Sequence, residues 1–398
     1  MNEKKKILIF QVLAAFGLYL MSAGASYAFF NYSQKPVIVS PISTDPTKAS
    51  GFRVDISAPK TEVCPINGAK FTKAEKDIWE KRRPIIAMIE NHADSRPQSG
   101  LSSADIVYEA VAEGGITRFM GVFYCGVAAQ EVKIAPVRSV RVYFIDWATE
   151  YGDKPIFMHV GGANDFSGYG DTIKEARALE YLETIGWRKN GGNDFDTTRD
   201  TGIPVLYRND SRLDHEVAYE HMMMGSIDAA YAQAEKRGLV DKDKSGTPWD
   251  KGYDMWTYVD EKPVSPPSAE KISFGFWSNQ PKYDVEWQYE AASNSYLRSN
   301  GGEKSIDLET KNQLTSKNII VLLMKERSSV DRNKHVLYQN VGKGEALVFN
   351  NGDVIKGTWE KVKRTDRTII KDSKGKEIQL TRGKTWIEIL PVGNEVSY

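Results

Sequence analysis

Residues 83–124 read RPIIAMIENHADSRPQSGLSSADIVYEAVAEGGITRFMGVFY. Two runs rich in Val, Ile, Tyr and Phe, 107–113 and 116–125, flank Gly114-Gly115. That is the pairing expected of a tight β-hairpin, because glycines supply the positive φ such a turn needs. A helix ending at the glycines is the competing reading. It would set Asp105, Glu109 and Glu113 on one face at i, i+4 and i+8, where like charges repel, so strands are expected. Upstream, the apolar run 85–89 ends at Glu90-Asn91-His92, where a loop would begin and ligand groups concentrate. Acids, arginines and a histidine among Gly-rich turns make 83–162 the segment that reads as a site.

Beyond the hairpin, Ser139 stands where a helix N-cap is wanted. Val140, Tyr143, Phe144, Trp147, Ala148 and Tyr151 then follow the 3.6-residue period to a stop at Gly152. Residues 155–160 read as a buried strand and 171–185 as a second helix closed by Gly186. A third helix is expected from the cap Ser226 through Ile227, Ala230, Tyr231 and Ala234 to Lys236-Arg237-Gly238, with an acid in its first turn and bases in its last. After Pro263-Val264-Ser265-Pro266-Pro267 the pattern changes to short β runs: KISFGFW, VEWQY, NIIVLLM, ALVFN, GTWEKV, RTIIKD, EIQL and TWIEIL. Asn351-Gly352 and Lys374-Gly375 mark turns between them.

At the N-terminus, Lys4, Lys5 and Lys6 precede an uncharged run over residues 7–30, long enough to cross a hydrocarbon core of roughly 30 Å. Positive charge before the run holds that end in the cytoplasm. A cleavable signal peptide is the rival, since Ser26-Tyr27-Ala28 loosely satisfies the small-x-small rule. The run exceeds the roughly 7–15 apolar residues of such peptides, so a retained anchor is expected, with the rest of the chain outside the cytoplasm. No cysteine follows the run closely, which argues against a lipid-modified N-terminus.

With 398 residues the chain exceeds one comfortable core. The expected fold class is α+β or α/β: a mixed α/β domain at 63–245 and a mainly β domain at 246–398, after one transmembrane helix within 1–30 and a Pro/Ser/Thr spacer at 31–62. Lys+Arg 53 balances Asp+Glu 53, so no nucleic-acid partner is expected. Cys64 and Cys125 have no metal-ligand spacing. An oxidising setting outside the cytoplasm makes one disulfide the expected state, with two buried free thiols as the alternative.

RPIIAMIENH, RPQSGLSSADIVYE, EGGITRFMGVF, APVRSVR and HVGG, in this order, are similar to motifs of the YerB family of bacterial envelope proteins, whose biochemical activity is not established. The resemblance covers nearly everything from Cys64 to Pro391, including NQLTSKNIIVLL and GDVIKGTW. It departs at Glu220-His221-Met222-Met223-Met224-Gly225-Ser226, where relatives carry a Tyr, at Ala135, where they carry Gly, and near Asp307, where they carry a preceding His.

Arg138 lies in a Pro-containing turn before the Ser139 helix, so its guanidinium and free backbone N–H groups would suit a phosphate or carboxylate. Arg141 is one turn away and Arg118 follows the hairpin turn. The alternative is a structural charge network of Arg138 and Arg141 with Asp105, Glu109 or Glu113. His159 reads either as a satisfied core histidine or as a general base above Gly161-Gly162, and His92 as a loop residue near a ligand. The candidate ligand set is therefore Arg138, Arg141, Arg118, Asp105, Glu109, His159 and His92. Trp277, Trp287, Tyr289 and Tyr296 could present flat faces to sugars, but aromatics in sheets are usually core. No nucleophile motif and no metal-ligand spacing is present, so no cofactor is expected.

Binding is expected rather than catalysis. The partners that fit are the membrane, through the N-terminal helix, and a cell-wall glycan, a lipid phosphate or an envelope protein. The alternative rests on a weak similarity of arrangement to the LytR-CpsA-Psr phosphotransferases. It would place Arg138 and Arg141 on a polyprenyl diphosphate, with Asp105 helping to hold Mg²⁺.

Overall fold

A computed structural model describes residues 52–328 and 330–398, together with Asn2, Glu3 and Gly17. Apart from those three residues, the expected transmembrane helix lies outside the described residues, as does the spacer up to residue 51. Among the described residues no helix is long and apolar enough to cross a membrane. The chain is tied down earlier than the expected spacer end at 62: Phe52 bridges to Gln130, Arg53 pairs with Asp228 at 2.5 Å, and Glu62–Val63 pairs with Lys70–Phe71.

The strands that build the framework are β1 (Ile85–Glu90), β2 (Ile106–Glu113), β3 (Ile116–Phe123), β4 (Ile156–His159), β5 (Asp194–Asp196), β6 (Lys271–Phe274), β7 (Val285–Glu290), β8 (Ser295–Asn300), β9 (Asn318–Met324), β10 (Gly342–Asn350), β11 (Asp353–Lys361), β12 (Ile369–Asp372) and β13 (Thr385–Pro391). Ten of them form one sheet in the order β12-β11-β10-β9-β13-β2-β3-β1-β4-β5. The last strand of the chain, β13, lies parallel to both β9 and β2 and joins the early strands to the late ones. Strands β6, β7 and β8 belong to a smaller antiparallel sheet.

The hairpin is as expected. Gly114 and Gly115 have φ of 60° and 82°, and a Cβ on Gly115 would lie 2.4 Å from the Gln280 side chain. Every residue of β1 is buried, which explains its unbroken apolar run, since a sheet covered on both faces needs no polar alternation. One face carries helix α2, defined below, whose Trp147 stacks on Tyr108 at 5.7 Å. The other carries the small sheet, where Trp287 meets Trp386 at 5.3 Å and Trp386 meets Phe119 at 5.5 Å. Burying a ring of this size contributes on the order of 4 kcal/mol. Trp287 and Tyr296 are fully buried and make core, not the exposed sugar platform their composition allowed.

From residue 52 on, the described α-helices are four and short: α1 (Lys73–Trp79), α2 (Val142–Ala148), α3 (Ala178–Thr184) and α4 (Ile227–Arg237). The protein is thus mostly β, including the half expected to be mixed α/β. Helix α4 matches its expected caps, Ser226 accepting from the Ala229 N–H and Gly238 stopping it at φ 73°. The Ser139 cap is a correction. Helix α2 starts two residues later with Arg141 at the N-cap, because the chain before it is extended: Val140 N–H donates to Gly161 O, and Ser139 O accepts from Arg118. The helix expected over 171–185 shrinks to α3 for a similar reason, the Ile173 N–H ahead of it being taken by Asp331.

Cys64 and Cys125 are bonded, with Cα atoms 6.1 Å apart. The bridge ties the segment entering the sheet to the end of β3.

Candidate functional site

Strand β1 ends on a charge. Glu90 sits opposite Arg118 of β3 and is almost wholly buried. Its carboxylate accepts from His221 Nδ1 at 2.7 Å and faces Arg138 Nε at 3.0 Å. His221 lies within a short turn at Tyr219–Met222 and stacks on His92, ring centroids 4.9 Å apart. His92 Nδ1 accepts from the Asp94 N–H. A second acid, Glu113 at the hairpin tip, pairs with Arg141 and lies 3.6 Å from Arg118 Nη2. Three arginines therefore share two glutamates, with exposed Glu220 beside Arg138 and the two histidines.

The electrostatics follow from that arrangement. Burial works against the Glu113 carboxylate, but Arg118 and Arg141 outweigh it and hold the carboxyl down to about 2. Burial, opposed by Glu113 and assisted by Arg141 and Arg138, brings Arg118 down to about 10. Arg118 also donates to Ser139 O at 2.7 Å and Arg141 to Val140 O at 2.7 Å. Of these three arginines only Arg138 keeps both terminal nitrogens without a hydrogen bond to a described residue, and its side chain is 28% exposed. Its surroundings differ from the sequence reading in one respect. Backbone N–H groups near it are consumed, Val137 donating to Met223 O, Arg138 to Met88 O and Val140 to Gly161 O, so no helix mouth assists an anion there.

Two acids expected with the arginines lie elsewhere. Asp105 is buried at the start of β2, accepting from Asn67 Nδ2 at 2.7 Å and from the N–H groups of Tyr124, Cys125 and Gly126 at 2.7, 3.0 and 3.1 Å. Burial lifts its carboxyl to about 6 against the three backbone bonds. With both oxygens occupied, and Cys64 and Cys125 committed to each other, this group holds the bridged corner together and has no valence for Mg²⁺. Glu109 points to the small sheet, where it meets Arg298 Nη2 at 2.6 Å, Thr117 Oγ1 at 2.6 Å and Asn91 Nδ2 at 3.1 Å. Neither pairs with Arg138 or Arg141, whose acids are Glu90 and Glu113.

The family is legible in comparison with known proteins. The model described as "Protein of unknown function (DUF3048) N-terminal domain" matches residues 71–239, and its C-terminal counterpart matches 272–387. The chain belongs to the DUF3048 family. A curated relative, "Putative lipoprotein YerB" of Bacillus subtilis (strain 168), is 30% identical over 326 residues, 80% of this chain and 84% of that protein. A crystal structure of the YerB protein from Bacillus subtilis superposes with a TM-score of 0.65 at 25% identity, covering 85% of this chain and 100% of that one. The expected YerB resemblance is therefore shown. In this DUF3048 chain the two matched segments share one sheet, since β13, at the end of the C-terminal match, lies against β2 of the N-terminal one.

His159 in this DUF3048 chain is a buried, satisfied histidine. Nδ1 donates to Gly161 O at 2.9 Å and Nε2 meets Asp194 at 2.6 Å. Arg188 bridges Asp194 and Asp196 at 2.7 and 2.9 Å. The His159, Asp194 and Asp196 atoms are close enough to hold a metal ion, but the Arg188 guanidinium already takes the cationic place. Burial alone would lower the imidazole, yet Asp194, Asp196 and the Gly161 carbonyl together raise it, so ring and guanidinium balance the two acids. Sequence reading missed Glu90 as the shared partner of Arg138 and His221. The signal available was Glu90 as the one charge closing an apolar run.

Proposed function

We propose that this protein is an extracytoplasmic envelope protein, held to the membrane by its N-terminal segment, that binds an anionic group of an envelope ligand or partner at Arg138. The carrying observation is that Arg138 alone among the three clustered arginines presents unengaged donors at the surface, while Glu90 lies 3.0 Å from its Nε and Arg118 and Arg141 are buried. The planar fork of a guanidinium suits a phosphate or carboxylate. The Bacillus relative is named as a lipoprotein, which supports the membrane location. Here the first cysteine is Cys64, so an uncleaved helix within residues 1–30 is the anchor we propose. The phosphotransferase reading has no support from the arrangement, since the oxygens of Asp105 are filled and it shares no site with the arginines.

Arg138→Ala tests the reading. Binding to vesicles of phosphatidylglycerol and to muropeptides should weaken by roughly 1.5–3 kcal/mol, the scale of a charge-assisted hydrogen bond, with the melting temperature little changed. Lost stability with unchanged binding would overturn it.

A further inference from the structure

The loop after β1, residues 91–98, has a second side. Opposite the Glu90 cluster it walls a cavity of about 420 Å³, closed from below by the end of β8 and the turn that follows. A space of this size is in the range that takes a small ligand. Its lining is charged on one side of the balance. Arg96, Lys282, Arg298 and Lys304 line it against one acid, Glu303, and among the described residues the only ion pair these cations make is that of Arg298 with Glu109, at 2.6 Å. In a chain with no net charge, where the other clustered arginines each face an acid, this is a local excess around an empty volume.

The two guanidinium groups are held in place. Arg96 donates to Asn91 Oδ1, Asn91 O and Lys282 O at 3.1, 3.2 and 3.0 Å, all uncharged acceptors, and stacks over Tyr283. Arg298 is 1% exposed, packed against Phe119, Trp287 and Trp386. It donates to Ser305 Oγ at 2.7 Å, and its Nε finds no partner. Arg96 and Arg298 repel one another, and burial together with that repulsion brings Arg96 down to about 10. An anion between them would relieve both costs, since a fixed, partly desolvated guanidinium binds carboxylate or phosphate more strongly than a solvated one. Ala93, Pro97 and Ile306 supply the remaining, apolar wall.

We propose that this cavity is a binding site, separate from Arg138, for a small organic anion, a carboxylate or phosphate carried on a compact apolar body and seated between Arg96 and Arg298. The test uses the full chain in detergent micelles, titrated with phenyl phosphate, benzoate and inorganic phosphate while tryptophan fluorescence is followed, because Trp287 and Trp386 lie against Arg298. Saturable change with phenyl phosphate or benzoate is expected, weaker with inorganic phosphate, and the stronger of the first two identifies the head group. Arg96→Gln should weaken binding about tenfold or more. Lys282→Gln and Lys304→Gln, on the rim and harmless to folding, should each weaken it less and make it less salt-dependent. Arg138→Gln should leave it unchanged, so failure here and failure of the Arg138 reading are distinguishable. Absence of saturation with every probe into the tens of millimolar, or equal affinity in the Arg96 and both lysine variants, overturns the proposal.

Discussion

His159 is drawn toward its charged form in the core by Asp194 and Asp196, against the cost of burial. Its folded pKa is raised above the ordinary value of about 6.5. A raised imidazole contributes stability that is fully present below its unfolded pKa and is lost as pH rises through the folded one. Urea unfolding should therefore show stability falling from about pH 6.5 upward, and His159→Gln should be less stable at low pH and lose that dependence. A wild-type curve that is flat or rises over this interval would refute the charged core. At this scale the sequence told residue types but not partners. His159 was legible as a histidine ending a buried strand. That Asp194, Arg188 and Asp196 would meet it depended on strand β5 pairing with β4, which no local pattern encodes. For Arg138 the sequence offered a charge in a turn, while its acid, Glu90, and that acid's other partner, His221, lie 131 residues apart.

Strands β13 and β2 bring Glu388 beside Glu109 in register. Burial first, and then the Glu109 charge, push Glu388 well above the carboxylate range, so Glu388 is the protonated member and Glu109 the partner of Arg298. Glu388→Gln keeps a neutral donor there and should change stability by less than about 1 kcal/mol, whereas Glu109→Gln strands the Arg298 charge and should cost about 3–5 kcal/mol. Denaturant melts of the two variants at neutral pH distinguish them, and equal costs would contradict the assignment. Elements with local signatures were legible: the Gly114-Gly115 hairpin, α4 with both caps, and the Asn351-Gly352 turn joining β10 to β11. Helix α2 was mis-started because the Ser139 cap signal lost to tertiary bonds. TWIEIL read as a strand, but its acid at a buried position was the unread sign that another charge lay across from it.

The whole molecule is tied by one covalent link and one strand. The Cys64–Cys125 bridge spans 61 residues, and a loop of that length is worth on the order of 4 kcal/mol in the chain-entropy account. Reduction should lower the melting temperature markedly, and thiol labelling of the unfolded, unreduced protein should find none free. Two family segments are matched in succession, and strands of both share one ten-stranded sheet. A chain ending at residue 384, or residues 63–245 alone, should show no cooperative unfolding transition by circular dichroism. A sharp transition from either would mean β13 is dispensable. The central position of β13 was illegible because its parallel pairing reaches back some 280 positions, from Glu388 to Glu109, and long-range pairing leaves no trace in local periodicity.

Synthesis runs from the N-terminus, so β2 and β9 exist long before the strand that separates them. Until residues 385–391 arrive, each keeps an open edge, the kind of surface that aggregates or draws chaperones and proteases. Closure of the sheet is thus a signature of a finished chain. A molecule cut short before residue 385 stays marked by two exposed edges, one on β2 and one on β9.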